Sequence, residues 1–393
     1  MRSVTALPVP TGPDLLGLLP ILERALAGEG PALLPVPADD AQETARLLAA
    51  ADVDQPLAAG EDDDADPTAI VVSTSGSTGV PKGALLPVSA LRASIDATAT
   101  RLGGTGRWLL ALPAHHVAGL QVLLRSVVAG TEPEVLDLRG GFDVAAFAAA
   151  TARLASGRRY TSVVPTQLVR LLADDAGLAA LRSYDAVLVG GAATPERDLA
   201  AARAAGVRVV TTYGMSETCG GCVYDGRPLD GVTVRLDDGR VLLGGAVVAR
   251  GYRGQSDVTR AAFPEPGVFR TDDLGVVAED GTLTLLGRAD DVVVTGGLKV
   301  APAEVERVLV ELASVRECVV VGVPDPEWGQ RVVAVVVAAD PAQLPLLEEL
   351  REAVVRRLVP AAAPRGLVVV DALPLRGPGK PDRVAAARLA ADR

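Results

Sequence analysis

The chain has 393 residues, 49% hydrophobic and 22% charged, enough for two or three domains with sizeable cores and too apolar for a disordered chain. Its formal net charge of −11 argues against nucleic acid or an anionic membrane surface as a partner, since both require a basic face, and leaves any anionic ligand to be held by local donors. No uncharged apolar run of about 18 residues occurs; the best stretch, Val117 to Gly130, is interrupted by Gln121 and Arg125.

The first residues, Met1-Arg2-Ser3-Val4 leading into Pro8, Pro10 and Pro13, lack the continuous apolar segment and cleavage site of a secretory leader, so a cytoplasmic location without membrane insertion is expected. Residues 1 to 67 read as a helix (Leu15 to Ala27), a strand (Ala32 to Val36), a helix (Ala41 to Ala51) and an acidic stretch from Glu61 to Pro67, taken as a solvated loop.

The apolar, β-branched run Ala69-Ile70-Val71-Val72 is followed by Ser73-Thr74-Ser75-Gly76-Ser77-Thr78-Gly79-Val80-Pro81-Lys82-Gly83. Hydroxyls and glycines after a buried strand, with one lysine, make a phosphate cradle: glycine frees backbone N–H groups to turn towards an anion, and the lysine adds a compact positive charge. The spacing departs from the P-loop of nucleotide triphosphatases, because two residues separate Gly76 from Gly79 and Lys82 precedes Gly83 instead of Ser or Thr. Of the 38 lysines and arginines only three are lysine, Lys82, Lys299 and Lys380, places where a small ammonium is wanted in place of a guanidinium.

Strand and helix signals then alternate: Leu91 to Leu102 helical, Trp108 to Pro113 extended, a helix after Gly119, then Glu134 to Leu138, Val144 to Leu154, Tyr160 to Val164, Thr166 to Leu172, Ala186 to Val189, Pro195 to Ala205 and Val207 to Thr212. That rhythm predicts crossover units around a largely parallel sheet with ligand loops at the carboxyl ends of its strands. The loops in question are Ser73 to Gly83, His115 to Gly119, Gly190-Gly191-Ala192 and Tyr213 to Thr218. Cys219 and Cys222 form a C-x-x-C, which supplies half of a tetrahedral zinc site; with only Cys318, His115 and His116 in reserve, structural or pocket-lining cysteines are expected.

From about Gly226 to Leu286 short strands and Gly/Asp turns predict a small β-subdomain, with a hairpin around Asp238-Gly239. A final unit carries a helix (Pro302 to Leu312), strands (Glu317 to Val323, Arg331 to Ala338), a helix (Leu344 to Leu358), a strand (Leu367 to Val370) and a terminal helix. The expected fold is α/β plus α+β: a large N-terminal domain (1–287, β-subdomain about 226–286), a hinge (288–291) and a smaller C-terminal α+β domain (292–393).

The string Ser73 to Gly83 resembles the phosphate loop of the adenylate-forming enzymes, which comprise acyl- and aryl-CoA synthetases, luciferases and the adenylation domains of peptide synthetases. Further motifs match in the family's order: Tyr213-Gly214-Met215-Ser216-Glu217-Thr218, Phe269-Arg270-Thr271-Asp272-Asp273-Leu274-Gly275, the segment Gly287 to Glu306, and Leu375 to Arg383. The resemblance implies the adenylate-forming fold, with ATP and CoA as co-substrates and magnesium as cofactor. It implies that Thr74, Ser75, Gly76, Ser77, Thr78, Gly79, Lys82, Gly190, Gly191, Ala192, Thr212, Tyr213, Gly214, Met215, Ser216, Asp273, Arg288 and Lys380 surround the nucleotide. Glu217, with Thr78, would hold the magnesium, since a hard cation takes carboxylate oxygen. Asp272 stands where the family has glycine, and register favours Asp273 as the ribose ligand. Asp290 would be the pivot, and Gly296, Gly297 and Lys299 would line the thiol tunnel. Lys380 would be the principal catalytic residue, stabilising the charge that shifts when a carboxylate attacks the α-phosphate, with Lys82 and His116 in support.

Three stretches, Ala111 to Leu120, Ser162 to Leu168 and Gly214 to Cys222, resemble the o-succinylbenzoate–CoA ligases of menaquinone biosynthesis. A polar-edged apolar pocket of His116, Thr166, Gln167, Gly214, Thr218 and Cys219 would then receive the acid. Other readings are another aryl- or acyl-CoA ligase, or a stand-alone adenylation domain loading a carrier protein. The partners expected are small molecules, with a homodimer carried only as a family-level expectation.

Overall fold

The computed structural model describes residues 2–74, 82–375 and 381–391. A first sheet holds β1 (Val4–Val9), β2 (Ala32–Pro37), β3 (Thr68–Thr74) and β4 (Lys82–Pro87) in that order, the first three parallel and β4 antiparallel to β3. Alternation along these strands sends Leu34, Val36, Val71 and Leu85 to one core and Leu33, Ile70, Val72 and Leu86 to another. The first core packs against α2 (Ala41–Ala50), whereas α1 (Leu19–Leu26) and α3 (Val88–Arg101) cover the other face.

Three sequence expectations change here. β1, which the prolines hid, is an edge strand, where Pro8 costs no ladder bond. The helix expected from Leu15 to Ala27 divides into a 3-10 turn, Pro13–Leu18, and α1, which starts at Leu19 with Pro20, a residue without an N–H, in its first turn. The acidic stretch is solvated only in its middle, Asp63 to Ala65, and anchored on both sides: Asp62 accepts from the Thr68 N–H at 2.9 Å, Asp66 from Ser89, and Glu61 from the buried Arg253.

The second sheet runs β11-β10-β9-β8-β7-β5-β6, built from β5 (Arg107–Leu110), β6 (Glu134–Val135), β7 (Arg159–Val163), β8 (Ala186–Val189), β9 (Val209–Met215), β10 (Gly220–Tyr224) and β11 (Arg227–Pro228). β6, β5, β7, β8 and β9 are parallel and β10 turns back antiparallel. Between them lie α4 (Val117–Val128), α5 (Val144–Arg153), α6 (Pro165–Leu172), α7 (Asp175–Arg182) and α8 (Glu196–Ala204). α6 falls where the sequence places a helix, Thr166 to Leu172, whereas α7 lies in a stretch to which the sequence reading assigns no element; its own cap, Asp174 accepting from Gly177 N–H at 2.8 Å, marks the restart.

A third, antiparallel sheet comprises β12 (Val232–Asp237), β13 (Arg240–Gly245), β14 (Val268–Val277) and β15 (Leu283–Arg288), with α9 (Ser256–Ala262) between β13 and β14. Asp238 and Gly239 both have positive φ, 49° and 78°, the turn a two-residue hairpin requires. The last sheet runs β17-β16-β19-β18 from β16 (Val293–Thr295), β17 (Leu298–Val300), β18 (Val315–Asp325) and β19 (Gly329–Ala338), with β20 (Gly366–Val369) parallel to β19. Its faces feed two cores, Val320, Val332, Ala334 and Val336 against α10 (Pro302–Leu309) and α11 (Leu347–Val355), and Val319, Val321, Val333 and Val335 against α12 (Arg383–Ala391). Among the described residues no helix is long and apolar enough to cross a membrane.

Candidate active site

β3 and β4 bring Thr74 opposite Lys82 and Ser73 opposite Gly83, so the phosphate-loop string begins and ends on two paired strands. Ser75, Gly76, Ser77, Thr78 and Gly79 lie outside the described residues. On its other side β4 meets the segment after β13: Leu85 N–H donates to Gly251 O at 2.9 Å, Arg253 N–H to Gly83 O at 2.8 Å, and Ala84 bridges Tyr252. A Cβ at Gly83 would lie 2.8 Å from Val71, so only glycine permits this approach.

That pairing places Tyr252 between two predicted residues. The Lys82 ammonium lies 5.1 Å from the Tyr252 ring centroid, and the Tyr252 hydroxyl donates to Glu217 Oε1 at 2.8 Å. Glu217 is buried, and burial together with its negative charge pushes the Tyr252 phenol well above its usual range. Ala249 N–H donates to Glu217 O at 2.8 Å, fixing the turn that presents the carboxylate. Behind this group Arg253 pairs with Glu61 at 2.5 Å. Burial works against the Glu61 charge, yet the N–H groups of Gly254 and Ala58 and the guanidinium hold its carboxyl below the usual range. Sequence reading missed Tyr252 and Arg253; an aromatic beside Gly251 in a chain only 3% aromatic was the available signal.

A second group forms where β9 approaches the third sheet. The Tyr213 hydroxyl donates to Asp273 Oδ2 at 2.7 Å, and Arg288, the register partner of Asp273, stands 3.6 Å from Asp273 Oδ1. Arg288 makes a fork with Asp290, Nε to Oδ1 and Nη2 to Oδ2, both 2.8 Å. Asp272 is exposed and accepts from Arg240 at 2.7 Å and, more loosely, from Nη2 of the same Arg288 at 3.4 Å. Burial raises the Asp273 carboxyl, opposed by the Tyr213 hydroxyl and the Arg288 charge. Asp290 is held below its usual range: burial would raise it, and the Arg288 fork outweighs that.

The loops at the carboxyl ends of the parallel strands are tightly fitted. A Cβ at Gly190 would sit 2.3 Å from Thr212 Oγ1 and one at Gly214 would sit 2.1 Å from Gly220 O. Gly191, at φ 83°, leads into Ala192. In the turn after β9, Met215 N–H donates to Thr218 Oγ1 at 3.0 Å while that hydroxyl donates to Gly220 O at 2.8 Å, with Ser216 and Glu217 enclosed.

Several expected pocket donors hold structural posts here. Thr218 is buried and its hydroxyl is committed to that turn. Gln167 accepts from Val164 N–H and donates to Ala111 O, both at 2.9 Å, so its amide caps α6 and ties it to the end of β5. Cys219 is buried in the left-handed region, φ 53°, and its carbonyl accepts from Gln121 at 2.7 Å and Ser94 at 3.1 Å. Burial pushes the Cys222 thiol up to about 12, so the C-x-x-C pair consists of buried neutral thiols, and among the described residues no group of three or more His, Cys, Asp or Glu could hold a metal. Thr166 is exposed on α6, and His116 is exposed at the N-terminus of α4, its ring 4.2 Å from that of His115.

Among the described residues Glu217 offers a carboxylate, a hard oxygen donor that suits a magnesium ion carried largely by phosphate oxygens and water. On the C-terminal unit Gly296 and Gly297, at φ 56° and 77°, turn the hairpin between β16 and β17, with Lys299 exposed beside them; a Cβ at Gly296 would meet Trp328 at 2.8 Å. Lys380 lies outside the described residues, in a stretch whose flanks, Leu375 and Pro381, bridge one another.

Comparison with known proteins places these groups in context. A family model described as AMP-binding enzyme matches residues 22–252, and one described as AMP-binding enzyme C-terminal domain matches residues 304–380. The chain is 52% identical over 386 residues to a probable 2-succinylbenzoate–CoA ligase of Mycobacterium tuberculosis, covering 98% of this chain and 97% of that protein. It is 32% identical over 336 residues to a 2-succinylbenzoate–CoA ligase of Listeria monocytogenes, covering 80% and 69%. The fold is similar to that of an o-succinylbenzoate CoA synthetase from Bacillus subtilis in complex with an acyl-adenylate intermediate, with TM-score 0.76, 24% identity, and 98% and 88% of the two chains covered.

Proposed function

Since the chain belongs to the AMP-binding enzyme family, we propose that it is an AMP-forming acid–thiol ligase that activates o-succinylbenzoate with ATP and transfers the acyl group to CoA. The observation that carries the choice of acid is the 52% identity, along almost the whole of both chains, to the mycobacterial relative. The reaction has two halves. The substrate carboxylate attacks the α-phosphate of ATP and pyrophosphate leaves; the CoA thiol then attacks the acyl carbon of the adenylate, AMP leaves and the thiol proton passes to solvent.

The residues take the following parts in this proposal. Lys82 and the phosphate-loop string face the phosphates. The Tyr213–Asp273 pair presents a ribose acceptor whose orientation is fixed by a phenol on one side and Arg288 on the other. Glu217, held by Tyr252, is the protein ligand for magnesium, which when bound neutralises phosphate charge. The division into residues 1–287, a hinge at 288–291 and residues 292–393 belongs to the same proposal. Asp290 is its pivot, Lys380 acts in the first half, and the Gly296–Gly297 hairpin is presented in the second. The enzyme would work in the cytoplasm.

The test is pyrophosphate release and thioester formation by the purified protein with magnesium, ATP and CoA. o-Succinylbenzoate, benzoate and a medium-chain fatty acid are offered in parallel. Turnover with o-succinylbenzoate above the other two is the expected result. Preference for another acid discards the substrate, and adenylate formation without turnover of free CoA favours delivery to a carrier protein.

A further inference from the structure

Arg197, the second residue of α8, donates to three backbone carbonyls that lie 113 to 119 positions further along the chain: Val310 O, Val315 O at 3.0 Å and Arg316 O at 2.8 Å. Each acceptor is one that its own element leaves open. Val310 caps the C-terminus of α10, where the last carbonyls lack intrahelical partners and carry the negative end of the helix dipole. Arg316 stands at the register shift between Val315 and Glu317 on β18, which leaves it out of the regular ladder with β19. One planar guanidinium therefore gathers a helix end and a β-bulge of the C-terminal unit. Its remaining edge, Nε, stands 3.6 Å from Asp198.

Two other contacts between the units, among the described residues, sit beside the hinge. Arg307 donates to Leu285 O at 2.9 Å, and a Cβ on Gly287 would meet Ala303 at 3.1 Å. Contacts so close to residues 288–291 can persist through a rotation about them. The Arg197 contact joins α8, far from the hinge in sequence, to the far end of α10 and to β18, and breaks on such a rotation. Arg197 also follows Ala192 by five residues, through Pro195, so it is tied to the loop that ends β8.

We infer that Arg197 is a positioning residue that pins the C-terminal unit in the orientation seen here and must let go before any other orientation is reached. It thereby sets the balance between the two halves of the reaction. The link to half-reactions rests on the proposed function; the pinning itself does not. Replacing Arg197 shifts the population of orientations and not the affinity for the acid, because the side chain is occupied by backbone carbonyls of the other unit.

The test pairs a distance with a rate. Spin labels at Asp175→Cys and Glu352→Cys, both exposed positions, report the separation of the units, against native cysteines of which two are fully buried. Arg197→Gln is expected to broaden or displace the ligand-free distance distribution. Arg197→Lys, which keeps the charge with a single donor group, is expected to fall between. In single-turnover assays Arg197→Gln should change the ratio of adenylation to thioester-forming rate by about tenfold, with the KM for the acid unchanged. A distance distribution and rate ratio equal to those of the parent, or an equal fall in both half-reactions with a lowered melting temperature, overturns the inference. If the parent protein forms no adenylate, the proposed reaction fails, while the distance measurement still decides the role of Arg197.

Discussion

Tyr213 and Asp273 meet across two sheets, the phenol donating to the carboxylate at 2.7 Å, while the adjacent Asp272 is exposed and shared between Arg240 and Arg288. Both aspartates that the sequence leaves side by side reach Arg288, and what distinguishes Asp273 is its lesser exposure and the phenol it accepts from. Asp273→Asn removes a charged acceptor and is expected to raise the KM for ATP by about 10- to 100-fold, the range for one hydrogen bond to a charged group. Asp272→Asn weakens two exposed ion pairs, to Arg240 and Arg288, and should stay within about fivefold of the parent. Steady-state kinetics with varied ATP decide it; the reverse ranking moves the ribose contact to Asp272.

The Tyr252–Glu217 pair makes a separate prediction about magnesium. Glu217→Gln removes the only ligand charge proposed for the ion and is expected to lower kcat/KM for ATP by about a hundredfold, with part of the loss recovered at higher magnesium. Tyr252→Phe leaves the carboxylate but removes the phenol's hydrogen bond to it, so the magnesium concentration for half-maximal rate should rise by a few fold, roughly the loss of one hydrogen bond. A magnesium titration in which Tyr252→Phe is indistinguishable from the parent would detach Tyr252 from the site.

Much of the fold was legible because its signals are local. β-branched runs such as Ile70 to Val72 can only be buried strands, and Asp238-Gly239 dictates a hairpin turn. The identities of Glu217, Tyr213, Asp273 and Arg288 were legible as strings. What was not legible was the use of each side chain across long separations. Gln167 looks like a pocket donor until Val164 and Ala111 are seen to take both ends of its amide. Glu61 looks like part of a solvated acidic loop until Arg253, 192 positions away, packs against it. Composition describes a segment, whereas burial is a property of what folds back onto it.

Lys380 is predicted to separate the two half-reactions. An ammonium placed between the attacking carboxylate and the α-phosphate acts on charge that exists only in the first transition state. Lys380→Ala should therefore lower the rate of pyrophosphate release by at least about a hundredfold. Supplied with preformed acyl-adenylate and CoA, the same variant should form thioester at the parent rate. Equal loss in both assays would make Lys380 a binding residue, and retention of adenylation would remove it from the mechanism.

The Glu61–Arg253 pair, with side chains 12% and 5% exposed, gives a prediction about stability and pH. Glu61 is held below its ordinary value of 4.5, so the folded state favours its ionised form and the unfolded state binds the proton more readily. The stabilisation is then complete above the unfolded value and is lost as pH falls through the lower folded one. Glu61→Gln leaves the buried Arg253 without its counter-charge and is expected to cost about 3 kcal/mol at pH 7. Because protonation of the parent carboxyl has the same effect as the substitution, the gap between the two proteins should close as the pH drops below 4.5. Urea midpoints at pH 7 and in mild acid measure this. A gap that stays constant with pH would mean that the pair contributes through shape and packing, and that the charge on Glu61 is not what holds the acidic segment against the strand behind the site.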